Sequence, residues 1–474
     1  MTSLQKRLEQ TSDFLIGAEL VSNRGTIAGG RASRTLAYAR DLGVAPRVDW
    51  ISITDNAGGN PKLAPAALGG PILNAGREVV IHLSCKDVDR NGLESAAWQL
   101  ASIGFHNLLA LSGGSTSAGI AGGAKPVFDI DSAGLLWLLG QMNAGLDVKR
   151  FGARPAGRLA ATCFHSGCVV TNFNLRETEV MPRLLKLEKK IAVGARWVVN
   201  QIGCDSRKAS DLIVWGRRRD LGHVPLTGNV YVLNPAVTQV FRRQTIPGVV
   251  VSDELAALCE KRGREADHGK AFFLELAAKQ VAVYRGLGYR GAYLGDVHAI
   301  KDLGRVLEIE SRFAEDDWRQ FARDIRYSRP GEFFLHSQDP ATGLADPGRL
   351  NPDYVSRGMR PRSNASVTFP DRISKLAHAA MLTAGRGLWD LGARLCSRAK
   401  DPMQGPALHR AVERARAGRI SSSRMLRSFR TRACAALPAG PTLGWGATTS
   451  RRKQPHECAA KNPPHRRTHQ QRLR

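Results

Sequence analysis

Several short apolar runs in the first 200 residues end on groups that can do chemistry. Glu19 follows FLIGA, Thr54 follows WISI, His82 lies in VVIHL, Ser112 and Gly113 follow NLLAL, and Gln201 follows WVVN. A glutamate so placed can pair with a nearby cation such as Arg24. If burial raises its pKa, it can instead hold a proton near neutral pH and deliver it as a general acid. Thr54 and His82 offer hydrogen bonds, and the Gln201 amide offers both a donor and an acceptor. Gly113 permits close approach of backbone to a ligand.

Cys163, His165 and Cys168 lie close together, and Cys204 follows another apolar run, so metal ligation must be weighed. Structural zinc wants four tetrahedral ligands with paired spacing, and this cluster lacks a second pair. Free cysteines are the simpler reading, and no metal is assigned. The glycines of LSGGSTSAGIAGG do not give the strand, G-x-G-x-x-G and helix order of a dinucleotide fingerprint.

The elements that must position these groups alternate in a regular way. Strands are predicted over Phe14 to Ala18, Val48 to Ile53, Val79 to Leu83, Asn107 to Leu111, Arg158 to Ala161, Trp197 to Asn200, Thr227 to Val232 and Gly291 to Leu294. Amphipathic stretches between them include Ala32 to Leu42, Leu93 to Ile103, Leu135 to Met142, Val180 to Ala192 and Lys270 to Leu287. Eight β/α units within about 300 residues predict an α/β fold, a closed (β/α)8 TIM barrel spanning residues 1–340. Such a barrel works at the carboxyl ends of its strands, and that is where Glu19, Thr54, His82, Ser112, Gly113 and Gln201 fall.

With 43% hydrophobic and 23% charged residues, the 474-residue chain can bury a substantial core. Its net charge of +27 suggests nucleic acid until the charge is located. From Ser356 onward there are 25 Lys and Arg against 5 Asp and Glu, so the barrel region is nearly balanced. A basic, partly helical extension is predicted over 341–418. The last 56 residues carry 13 basic and one acidic side chain, and a disordered tail is expected over 419–474. That composition also fits a shifted frame of a GC-rich gene. The tail has few aromatics to stack on bases, so no specific nucleic-acid partner is expected. No apolar run is long enough for a membrane span. Eight cysteines without a paired framework, and no secretory segment, point to a reducing cytoplasmic compartment.

Six stretches recur in order at barrel-like intervals: FLIGAELVSNRGT, WISITDNAGG, VVIHLSCKDVDRNGL, NLLALSGG, KPVFDIDS and LEKKIAVGARWVVNQIGCD. Together with TGNVYVLNPA, QTIPGVVV and GYRGAYLGDVH they resemble the methylenetetrahydrofolate reductase family through nearly all of residues 10 to 300. The resemblance implies a barrel that binds FAD noncovalently, takes electrons from NADH or NADPH, and reduces 5,10-methylenetetrahydrofolate to 5-methyltetrahydrofolate.

Under that resemblance Glu19 is the general acid that protonates the departing nitrogen as the methylene bridge opens, and Gln201 hydrogen-bonds the pterin. Thr54, His82, Leu111, Ser112, Gly113 and Lys190 fall on flavin-lining positions, with Phe128 and Asp129 beside them. Lys190 would meet the pyrophosphate as a point charge.

One position departs from the pattern. After ALSG the family places an aspartate that faces flavin and folate, and this chain has Gly114. A carboxylate there would help stabilise a cationic folate intermediate. The second reading is therefore a degenerate flavin- or folate-binding barrel that supports a methyl-transfer system. The choice between NADH and NADPH, and a homo-oligomeric state, are left open.

Overall fold

The computed structural model describes residues 3–28, 32–114, 124–149, 155–243 and 248–352. Eight parallel strands close into a barrel with each strand beside its sequence neighbour: β1 Leu15–Leu20, β2 Trp50–Ile53, β3 Val79–Ser84, β4 Asn107–Leu111, β5 His165–Val170, β6 Trp197–Asn200, β7 Leu226–Tyr231 and β8 Gly291–Gly295. The ring is shut by β1 on β8, with Leu15 opposite Gly291 and Ala18 opposite Leu294.

The expected TIM barrel is thus present, with one strand misplaced. Arg158 to Ala161 was the predicted fifth strand, whereas β5 is His165–Val170. Pro155–Arg158 pairs instead with Asp147–Lys149 in a two-stranded ribbon outside the barrel. The reason is local: β5 begins with His165, Ser166 and Gly167, which do not read as an apolar run. His165 is nevertheless buried, with Nδ1 3.2 Å from Asn107 Oδ1 and Nε2 3.5 Å from Glu9.

The helices are α1 Ser3–Gln10, α2 Ser33–Val44, α3 Pro65–Asn74, α4 Arg90–Ser102, α5 Ser132–Ala144, α6 Glu177–Ala192, α7 Ser206–Arg218, α8 Pro235–Arg242, α9 Asp253–Arg262, α10 Lys270–Leu287, α11 Ile300–Glu310 and α12 Asp317–Asp324. Outward strand residues such as Ile51, Ile81, Leu108, Cys168, Val198 and Leu294 join the helices in the main core. Helix starts are fixed by side-chain caps at the strand-to-helix loops. Asp89, Asp131, Asp205 and Asn234 each accept a first-turn backbone N–H.

A separate inner cluster of Leu15, Trp50, Val80, Leu109, Trp197, Val199 and Tyr293, with Leu4 and Leu8 of α1, fills the lower barrel. It packs because two strands present no side chain where a neighbour is bulky. A Cβ on Gly17 would overlap the Trp50 indole, and one on Gly167 would overlap that of Trp197.

Beyond the last barrel helix, His336–Gln338 and Ala345–Leu350 form an antiparallel pair. A buried polar set ties this segment to α7. Lys208 Nζ lies 3.4 Å from Glu332 and also donates to the Phe333 carbonyl, while His336 Nδ1 is 2.6 Å from Asp211. The predicted extension from residue 353 on, and the whole 419–474 tail, lie outside the described residues. Among the described residues no helix is long and apolar enough to cross a membrane.

Candidate functional site

Because side chains alternate along a strand, every second residue above the plugged floor turns into the barrel's mouth. That ring comprises Glu19 from β1, Ser52 from β2 and Thr54 just beyond it, His82 and Ser84 from β3, Leu111 from β4, Gln201 beyond β6, and Asn229 and Tyr231 from β7, with Tyr293 of β8 topping the floor cluster. Glu19, Thr54, His82, Leu111 and Gln201 are thus brought to one end of the barrel, as their positions in the sequence predict.

Glu19 is part-buried. Its Oε1 accepts from the Tyr293 hydroxyl at 3.4 Å and its Oε2 from the Asp296 backbone N–H at 3.4 Å. A Cβ on Gly295 would stand 3.1 Å from Glu19 Oε2, so the bare strand end makes room for the carboxyl. Desolvation pushes the Glu19 pKa up; the Asp296 N–H opposes this and the Asp296 charge adds to it. The carboxyl therefore holds its proton more firmly than an ordinary glutamate does. Lys62, half-buried and facing Glu19, has its pKa lowered by burial, with Glu19 pulling the other way.

His82 Nε2 lies 2.9 Å from Ser52 Oγ, and burial lowers its pKa to about 4. The ring is therefore neutral near pH 7. Thr54 Oγ1 and Ser84 Oγ are buried without a hydrogen-bond partner, a costly state unless a ligand satisfies them. Gly113 adopts the left-handed region at φ 86°, where a Cβ would come within 2.5 Å of Ser84 Oγ and 2.8 Å of Lys86. The residue thus has to be glycine.

The remaining predicted residues have other local partners. Ser112 Oγ accepts from the Ser132 N–H and meets Ser132 Oγ, both at 3.1 Å, at the start of α5. Asp129 accepts from the Arg90 N–H at 3.0 Å, and Phe128, 40% exposed, takes a left-handed φ of 43°. Lys190 Nζ donates to the Val169 carbonyl at 2.7 Å, between α6 and β5. Gln201 Oε1 accepts from the Ile202 N–H at 3.0 Å.

The cysteines do not converge on one point. Cys168 is buried in the outer core, Cys204 belongs to a second apolar cluster near α9 and α10, and Cys163 Sγ lies 3.2 Å from His106 Nδ1. Among the described residues no group of three or more His, Cys, Asp or Glu could hold a metal ion.

Sequence reasoning missed the groups just beyond β8. Asp296, at a left-handed φ of 58°, accepts from Asn234 Nδ2 at 3.1 Å and lies 3.1 Å from His298 Nε2. Their signal was the polar pair Asp296 and His298 closing GAYLGDVH, directly after the last strand. Also missed was Asp55, which accepts from the Ser84 N–H at 3.1 Å. Burial raises its pKa, and the Lys86 ammonium opposes the shift. Lys86 itself is buried against Asp87 at 2.5 Å.

No protein-family model matches the chain, and no curated protein matches it significantly. Solved structures match at the level of the barrel. A protein from Clostridium thermocellum that binds two copies of 5-methyl-5,6,7,8-tetrahydrofolic acid is 10% identical, with a TM-score of 0.45 over 65% of this chain and 98% of that one. Oxaloacetate acetylhydrolase is 9% identical, with a TM-score of 0.37 over 64% of this chain and 83% of that one. Dihydropteroate synthase from Clostridium difficile is 11% identical, with a TM-score of 0.34 over 64% and 97%. These are likenesses of fold and carry no argument about chemistry.

Proposed function

We propose that the barrel is a flavin-dependent reductase that converts 5,10-methylenetetrahydrofolate to 5-methyltetrahydrofolate at the expense of NADH or NADPH. The observation that carries this reading is a carboxyl group, Glu19, inclined by burial to keep its proton at the open end of the barrel. The same end of the barrel carries neutral hydrogen-bonding groups, Thr54, His82 and Ser84, that suit a heterocyclic substrate. The ordered sequence resemblance over residues 10 to 300 supplies the substrate class.

The residues present fit FAD at its ring end. Thr54 and Ser84 hold unused hydroxyls, His82 is uncharged, and Gly113 leaves backbone uncovered. Thr54, His82, Leu111, Ser112 and Gly113 would line the flavin with Phe128 and Asp129 beside them, and Lys190 would face the pyrophosphate. Lys190 would have to leave the Val169 carbonyl to reach it. When bound, the flavin supplies hydride transfer between the nicotinamide donor and the folate.

The chain supplies the rest. Glu19 delivers its proton to the departing nitrogen as the methylene bridge opens, a task suited to a carboxyl with a raised pKa. Gln201 hydrogen-bonds the pterin and fixes its orientation.

Anaerobic reduction of the protein-bound flavin by NADH or NADPH, followed by 5,10-methylenetetrahydrofolate, tests the proposal. Rapid recovery of oxidised-flavin absorbance is expected. Gly114, in place of a carboxylate, favours the second reading, a flavin- or folate-binding barrel without turnover. A flavin that stays reduced after folate addition would select it.

A further inference from the structure

The reductase reading leaves Glu19 as a carboxylate after each proton delivery, and its two hydrogen-bond donors are poor acids. Burial drives the Tyr293 hydroxyl far above its ordinary pKa, and the other donor is a backbone amide. The proton must come by another route.

A cleft of about 680 Å³ opens on the same carboxyl from the side, between the ends of β1 and β8 and the helices α2 and α11. Its lining includes Glu19, Tyr38, Asp41, Asp296, His298 and Lys301, a polar wall with room for water. The Tyr38 hydroxyl is buried there without a partner. Of the groups lining the cleft, His298 is the one whose ordinary pKa lies close to neutrality. Its side chain is 75% exposed, and Asp296 lies 3.1 Å from its Nε2. Asn234 holds the other Asp296 oxygen, so the carboxylate that aims the imidazole is itself fixed.

We propose that His298, oriented by Asp296, is the proton-relay residue that recharges Glu19 through water in this cleft. The inference rests on Glu19 acting as proton donor. The imidazolium gives its proton to cleft water, the water passes one to the Glu19 carboxylate, and the neutral imidazole takes one from bulk solvent. No electrons move. His298 acts through Glu19 and does not touch substrate.

Other titratable groups face this region from every side. Arg34 and Asp41 come from α2 and Lys301 from α11, while Lys62, Tyr231 and Tyr293 act on Glu19 directly. Lys62 is the rival donor.

The test follows the infrared carboxylic-acid band of Glu19 in the full-length protein after light-triggered proton release, without folate. The band is assigned by its loss in Glu19→Gln. In His298→Gln, an exposed substitution, protonation of Glu19 should slow on the order of a hundredfold. Added imidazole should restore it, whereas Lys62→Met should leave it unchanged. An unchanged rate in His298→Gln, slowing that imidazole does not rescue, or a loss confined to Lys62→Met would overturn the relay. Because no folate turnover is read, failure of the reductase proposal and failure of the relay are separate results.

Discussion

Ser52 Oγ and His82 Nε2 meet at 2.9 Å inside the barrel mouth, with both side chains buried. Burial lowers the His82 pKa from 6.5 to about 4. The unfolded chain therefore takes up the proton first as pH falls. The stability contributed by the neutral ring is complete above about pH 6.5 and is lost as pH drops through about 4. Thermal melts over that window should show the loss, and His82→Asn should reduce it by at most about 3 kcal/mol. An identical pH profile in the variant would place the acid sensitivity elsewhere, for instance at His165, which burial also lowers to about 4.

Glu19 has the opposite linkage. Its folded pKa is raised, so its contribution is complete below the ordinary glutamate pKa and is lost as pH rises through the folded value. Glu19→Gln should therefore melt higher than the parent at neutral pH, and the gain should vanish in acid. In the flavin assay the same variant should keep its flavin and lose folate-driven reoxidation by about 10²- to 10⁴-fold. Normal reoxidation would remove Glu19 from the proton-donor role.

Gly17→Ala should destabilise the barrel although it adds one methyl group, because the new Cβ would overlap the Trp50 ring. A cost of about 1–3 kcal/mol is expected for such overpacking. Urea denaturation followed by tryptophan emission would measure it, and a neutral result would mean that the indole has an alternative rotamer.

Lys208 and Glu332, both almost wholly buried, should fail when separated. Lys208→Met strips Glu332 Oε1 of its cation while Arg329 stays 3.3 Å from Oε2, so the loss by chemical denaturation should fall below that of a wholly unpaired buried charge, about 3–5 kcal/mol. The combined replacement Lys208→Met with Glu332→Leu should recover part of that loss.

The fold was legible where buried strands and helices carry unmixed signals. Asn107–Leu111, Trp197–Asn200 and Lys270–Leu287 have the bounds that their apolar runs predict. His165–Val170 was missed because its inward face opens with a histidine and a glycine, whose burial depends on partners far away in sequence. In the candidate site, Glu19, Thr54, His82 and Gln201 are visible as polar groups closing apolar runs. The grouping of Asp296 and His298 around Glu19 is not, since it depends on the contact of the last strand with the first. Nor could sequence foresee that Lys190 bonds a strand carbonyl.

The inner cluster that α1 seals with Leu4 and Leu8 makes the barrel a cup rather than a pipe. Apart from the side cleft at Glu19, ligands that work at the mouth must arrive and depart through one doorway. If a nicotinamide donor and a folate both use it, they must take turns. Initial-rate lines at different fixed concentrations of one substrate should then run parallel instead of converging.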